Sequence, residues 1–324
     1  MTRRRTLLAA LVTAVLWGTP IFSGAQGYPV KPIRLVVPYP PGGIDPYARI
    51  MTPRMSEMLG QPIIVENRPG ANGIIGTEYV VRSPADGYTL LFATTSTLVG
   101  GTLMLKAVTY DPLKDLTPIV ALFESLRTIT VSSALPIHSM RELIDYAKAH
   151  PGKLTFGSSG IGSAFHLDGE ILKDAAGIDM LHVPFKGSAP MATAIAAGQI
   201  DVGVASLNNV IAAMTAGQVR LIAFMEKQRS PLYPDVPTVA ETLPGTFKSV
   251  GWTGIFGPAG LPSEIVTRWN AAARTVMEAP EVRAFHEKNG TIVNVTSPQE
   301  TGQSLREGLN TVAALMKKIH LEPQ

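Results

Sequence analysis

Cysteine is absent from the 324 residues. That excludes disulfide staples, thiolate nucleophiles and Cys-ligated metals, and it leaves stability to a packed core, which a chain of this length can build. A long apolar run is absent too. Leu7 to Trp17 comes nearest, and it is too short to span a bilayer comfortably. Clustered charge is missing beyond the first residues. Arg3, Arg4 and Arg5 account for the whole surplus of 28 Lys+Arg over 25 Asp+Glu. Without them the chain is neutral and offers no electrostatic footprint for nucleic acid. None of the histidines (His138, His150, His166, His182, His286, His320) makes a short-spaced ligand pair, so no metal is expected. No cofactor is expected either. There is no G-x-G-x-x-G and no G-x-x-x-x-G-K-[ST], and Gly70, Gly73 and Gly76 are spaced by three.

What is present starts with a leader. Arg3 to Arg5 form a basic n-region, Leu7 to Trp17 an apolar h-region and Ser23-Gly24-Ala25 a small-residue cleavage site. Residues 1–25 are therefore expected to be a signal peptide, cleaved near Ala25/Gln26. Thr6 stands where a twin-arginine signal carries an aromatic, which favours the general secretory route. Export with no later membrane span places the mature protein in the periplasm.

The most informative stretch is Ile33 to Arg49, IRLVVPYPPGGIDPYAR. Ile33 to Val37 reads as a buried strand. Pro38, Pro40, Pro41, Gly42 and Gly43 make a turn, and a helix opens near Asp45. Glycines let the backbone aim its N–H groups at a guest, and a helix start adds unpaired donors and a positive dipole end. This is how an anion site is built without a charged side chain.

Further strands are expected at Ile63–Glu66, Thr89–Phe92, Thr128–Ser132, Leu154–Gly157, Asp201–Ala205, Val219–Phe224 and Gly251–Phe256. Ser139-Met-Arg-Glu142 is a capping box that opens a helix ending at Pro151-Gly152. Ser297-Pro-Gln-Glu300 is a second, opening a long helix to about Ile319. Alternating strands and helices argue for parallel α/β sheets. The length favours two lobes, and ligands of such sheets bind at the carboxyl ends of strands. A second strand–loop–helix unit, with loop Ser158 to Ser163 and helix Ala164 to Ala176, echoes the first. The pair is expected to hold a carboxylate across a cleft.

These motifs together resemble the Bug-type solute receptors, the extracytoplasmic binding proteins of tripartite tricarboxylate transporters. The likeness runs from Tyr28 to the C-terminus. It rests on Tyr28-Pro-x-Lys-Pro-Ile-Arg34, Pro38-Tyr-Pro-Pro-Gly-Gly43 with Asp45, Ala48 and Arg49, Glu66-Asn-Arg-Pro-Gly-Ala71, and Asp86-Gly-Tyr-Thr-Leu-Leu91. Gly157-Ser158 with His166-Leu167, His182-Val-Pro-Phe-Lys-Gly187, Ala197-Gly-Gln-Ile-Asp201, Pro234-Asp-Val-Pro-Thr238 and Gly257-Pro-Ala-Gly260 complete it. The resemblance implies an α/β, two-lobed periplasmic binding protein fold of type II-like form, with two or three crossings and the ligand in the interlobe cleft. The expected division is residues 26–124 plus 225–324 in one lobe and 125–224 in the other. The expected partners are a small organic carboxylate and integral membrane permease subunits, with the receptor itself a monomer. Two stretches depart from the family pattern and are expected to line the pocket: Gly100-Gly101-Thr102, and Val202 to Ser206 after Asp201.

Candidate ligand-binding residues are Tyr39, Pro41, Gly42, Gly43 and Asp45 on one wall, and Ser158, Ser159, Gly160 and Ser163 on the other. Thr94 and Thr95 offer hydroxyls at a strand end. Phe185, Lys186 and Asp201 complete the set. Asp45 better suits a helix cap or a tie for the Pro-Gly turn, and Lys186 equally suits a solvated loop. Arg68 reads as a turn residue with a structural ion pair. A periplasmic hydrolase is the rival class, but Gly157-Ser-Ser-Gly160-Ile-Gly162 does not fit G-x-S-x-G, and no catalysis is expected. A receptor that reports to a membrane signalling protein would use the same pocket.

Overall fold

The computed structural model describes residues 27–246, 248, 251–318 and 320–323. The expected signal peptide and its cleavage site lie outside these residues. The strands in chain order are β1 (Ile33–Val37), β2 (Ile63–Asn67), β3 (Thr89–Thr94), β4 (Leu116–Ser125), β5 (Arg127–Ser132) and β6 (Thr155–Ser158). They continue with β7 (Leu181–Pro184), β8 (Val202–Ser206), β9 (Val219–Phe224), β10 (Thr253–Pro258) and β11 (Thr291–Val293). They form two sheets, ordered β11-β4-β10-β3-β1-β2 and β7-β6-β8-β5-β9. Helices cover them, and the molecule has the two-lobed fold of periplasmic solute-binding proteins.

The sheets are mixed rather than all parallel. β1 pairs in parallel with β2 and β3, and β6 with β7 and β8. β10 runs antiparallel to β3 and β4, and β5 antiparallel to β8 and β9. The reason is the path of the chain. β4 leads straight into β5 of the other sheet through Leu126 alone, so no helical crossover returns it to its own sheet. The chain comes back between β9 and β10. These are the two crossings. Leu126 ties both sides, its N–H bonding to Gly290 O at 3.3 Å and its carbonyl accepting the Leu207 N–H at 2.9 Å.

Each lobe has its own core. In the first, Trp269 is fully buried among Phe92, Phe123, Met51 and Met55, and its indole donates to Tyr28 Oη at 2.8 Å. In the second, Phe156, Leu143, Val202 and Met225 pack under the sheet. Fully burying side chains of this size stabilises by about 1.5–3 kcal/mol each. Helix ends follow the sequence signals. Ser297 Oγ accepts the Glu300 N–H, and the Glu300 carboxylate accepts the Ser297 N–H, so the helix Pro298–Lys318 starts on a complete capping box. Before the helix Met140–Ala149, Ser139 caps Glu142 as expected, but the Glu142 carboxylate accepts the His138 N–H.

The lobes also touch away from the crossings. A π-helical turn, Ser96–Gly101, follows β3 and packs on the helix Ala164–Ala176. The Ala164 N–H donates to Ser96 Oγ at 3.0 Å, and Leu167 lies in one buried cluster with Leu98, Val99 and Met104. A Cβ on Gly100 would stand 2.2 Å from Gly162 O. The stretch Gly100-Gly101-Thr102, expected to line the pocket, instead makes this contact: the two backbones meet too closely for any side chain.

Candidate ligand-binding cleft

A cleft with about 900 Å³ of empty space, counting the part open to solvent, lies between the lobes. Its first wall is the turn after β1. Gly42 and Gly43 have φ of +96° and +55°, conformations in which glycine pays no steric penalty. The Asp45 N–H closes the turn on Gly42 O at 3.0 Å. The helix Asp45–Leu59 then starts at Ile44 with no side-chain cap. Tyr39 is pinned here, its hydroxyl hydrogen-bonded to Thr94 Oγ1 at 3.0 Å and Thr97 Oγ1 at 2.5 Å. Burial raises its phenol above the ordinary value. Thr94, Thr95 and Ser96 continue this wall at the end of β3.

The second wall comes from three loops of the other sheet. Ser159, Ala164 and Phe165 follow β6, Lys186 to Pro190 follow β7, Ser206 ends β8, and Asn208 and Asn209 follow it. The helices Ser188–Ala196 and Leu207–Thr215 begin here, and neither has a side-chain cap. The helix Ala164–Ala176 differs. Ser163 Oγ accepts its His166 N–H at 3.1 Å, and Ser96 takes its Ala164 N–H. The expected second donor set in loop 158–163 is thus largely engaged by the protein itself, and the uncapped donors on this side belong to the Ser188 and Leu207 helices.

The floor is the crossing region: Ser125, Arg127, Gly251, Trp252 and Thr253. The Arg127 guanidinium donates through Nη1 to Asp168 Oδ2 at 2.6 Å, with side-chain exposures of 4% and 0%. It also lies 5.8 Å from the Phe165 ring centre. The Trp252 indole Nε1 is buried and has no hydrogen-bond partner among the described residues.

Of the residues singled out in the sequence, Tyr39, Pro41, Gly42, Gly43, Thr94, Thr95, Ser159 and Lys186 line the cleft. Asp45, Ser158, Gly160, Ser163, Phe185 and Asp201 do not, and each has another task. Asp45 is the first residue of its helix rather than the cap and pairs with Arg49 at 2.8 Å. Asp201 holds the Thr155 N–H and hydroxyl at 2.8 Å each. Gly160 turns at φ +129°, Ser163 is a cap, and Phe185 packs on the cluster around Met191 and Ile200. Of Val202 to Ser206 only Ser206 reaches the cleft. Arg68 forms the ion pair with Glu66 at 2.6 Å.

Ser158 Oγ lies 2.7 Å from His182 Nε2, a distance suited to a nucleophile and its base. Ser158 is fully buried, however, and outside the cleft lining. His182 is stacked on His166 with ring centres 3.9 Å apart, and burial, with His166 and Lys173 adding, pushes it down to about 3. The pair pins the loop after β6.

Arg127, Ser188, Asn208, Asn209 and Trp252 escaped the sequence reading. Gly187-Ser188-Ala189-Pro190 carries a small residue and a proline where helices start, and Ser206 directly ends an apolar strand. Those signals mark the two helix starts. Arg127 shows only as one cation at the head of an apolar strand.

The model of the tripartite tricarboxylate transporter family receptors matches residues 47–321. The chain belongs to that family. The receptor is 31% identical to the protein BugT of Bordetella pertussis over 93% of each chain. Its fold matches the solved structure of R. palustris Rpa4515 with adipate at a TM-score of 0.87 and 31% identity, covering 92% of this chain and all of that one. MatC (Rpa3494) from Rhodopseudomonas palustris with bound malate matches at 0.82 and 31%, over 89% and 99%. These relatives are solute receptors, not enzymes, and the family implies a periplasmic location and association with membrane transporter components.

Proposed function

We propose that this receptor captures a small organic carboxylate in the cleft and hands it to the integral membrane permease subunits of a tripartite tricarboxylate-type transporter. The observation that carries the reading is the convergence on one cleft of the glycine turn Gly42-Gly43 and of two helix starts without side-chain caps, at Ser188 and Leu207. The two helix starts offer backbone N–H donors and the positive end of a helix dipole. The Ser206 hydroxyl at the end of β8 adds a neutral donor. Such an array reads carboxylate geometry and needs little reorganisation. Adipate and malate in two relatives of similar fold support the same ligand chemistry.

The division expected at 225 moves: residues 225–246 pack on the second lobe, with Met225 and Val239 in its core and Leu243 packed against it, so 27–124 plus 251–323 act as one lobe and 125–246 as the other. Closure turns about the crossings at 125–127 and between 248 and 251. The receptor works as a monomer, secreted with residues 1–25 removed. Thermal melts of the chain from Gln26 against a panel of carboxylates test this. A ligand at one hundred times its Kd adds about 2.7 kcal/mol and raises Tm visibly. Ser159→Asp puts a like charge on the second wall and should abolish that shift while leaving the unliganded melt in place. Full affinity in this variant would remove Ser159 and its neighbours from the site.

A further inference from the structure

The cleft carries charge of one sign only. Among the described lining residues the charged side chains are Arg127 and Lys186, both cations, and no carboxylate faces the space. The two differ in setting. Lys186 is exposed at the rim, where water and salt screen it. Arg127 is 3% exposed at the floor, where its field is least screened. Asp168 holds it from behind, fully buried and outside the lining. The nearest other charges are committed elsewhere. Glu226 Oε1 accepts the Arg127 backbone N–H at 3.2 Å, and Lys248 bridges Glu124 and Glu226 at 3.0 and 2.9 Å. The guanidinium also packs against the second crossing, where a Cβ on Gly251 would stand 2.6 Å from Nη2. The body of the cleft between these charges is lined by Phe165, Trp252, Tyr39, Tyr47 and Ile44.

Resting on the carboxylate reading above, we propose that Arg127, seated on Asp168, is the specificity-determining residue that selects acids with an uncharged body and rejects amino acids. An α-ammonium in this cleft would meet a buried like charge and no lining carboxylate to pair with. It would lose its hydration without compensation. Rejection of this kind uses a repulsive element, not a better fit to the preferred ligand.

Three matched probe pairs differ only by an ammonium: succinate and L-aspartate, glutarate and L-glutamate, adipate and L-2-aminoadipate. Calorimetric titration of the chain from Gln26 should show the plain diacid bound more tightly than its amino partner, by about tenfold or more in the best-fitting pair. In Arg127→Gln with Asp168→Asn, which removes both charges of the pair together, that ratio should collapse toward one. Arg127→Lys keeps a cation on Asp168 and should keep the preference. Circular dichroism reports whether each variant folds, and Arg127→Lys decides the question if the double variant does not. Equal binding of both members by the wild type overturns the inference and leaves the carboxylate reading intact. So does a preference that survives in the folded double variant, or is lost in a folded Arg127→Lys. Failure of every carboxylate to bind overturns both.

Discussion

Gly100→Ala isolates the contact between the lobes. The added Cβ would lie 2.2 Å from Gly162 O, about 1 Å short of an ordinary carbon–oxygen contact. Neither partner is the end of a flexible side chain. Gly162 turns at φ +75° in the loop that leads into the Ala164 helix, so the clash is relieved most cheaply by parting the lobes at this point. Overpacking of this kind costs about 1–3 kcal/mol. The cost falls on the arrangement in which Ser96 meets Ala164, not on either core, because Gly100 and Gly162 lie on different lobes. If ligand is held with the lobes so joined, affinity should fall about 5- to 150-fold. Gly101→Ala is the control. Its Cβ would meet Ser96 O of its own turn at 3.3 Å, and its φ and ψ of −59° and −44° are ordinary helix, so affinity should stay near that of the wild type. The assay is calorimetric titration with the acid that gives the largest thermal shift, together with small-angle scattering of the unliganded variants. Wild-type affinity and an unchanged radius of gyration in folded Gly100→Ala would refute the argument.

Acid should weaken the fold through buried histidines. His166 and His286 are pushed down to about 4 and His182 to about 3, chiefly by burial. The unfolded chain therefore binds more protons between about pH 6.5 and those values. The stabilisation is complete above pH 6.5 and is lost on acidification at up to about 1.4 kcal/mol per pH unit per histidine. Urea melts at pH 7, 6 and 5 measure it, and a flat profile between 6 and 5 contradicts the neutral buried rings. Asp168→Ala leaves the Arg127 guanidinium buried without that carboxylate and should cost about 3–5 kcal/mol. Arg127→Met with Asp168→Leu should recover most of the loss, and urea melts that show the two changes to be additive would deny their coupling.

Local signals were read well because they need no partner from elsewhere in the chain. β1 matches Ile33–Val37 to the residue, the helix Ala164–Ala176 ends at Gly177 as expected, and of the two expected capping boxes the one at Ser297 is complete while Ser139 keeps only its own half. Where a strand's case depends on its neighbours, the signal was weak. β4 carries Pro118 within Leu116–Ser125 and looks unlike a central strand, yet its place between β10 and β11 buries it. β7 is a short edge strand with half-exposed residues, and β11 has three residues.

The sequence by itself determined the proline–glycine turn Tyr39 to Gly43, the export leader as an expectation, the lack of any cysteine chemistry, and the family. Each of these is a property of contiguous residues or of composition. The direction of β10 and β5, the meeting of Gly100 with Gly162, and the shift of the second donor set from the Ala164 helix to the Ser188 and Leu207 helices were decided by tertiary structure alone. A helix start is an anion site only if nothing in the protein reaches it first. Ser96, far away in sequence, reaches Ala164. Arg127 likewise became part of the cleft only when Asp168, on a helix of the same lobe, fixed a buried cation at the crossing.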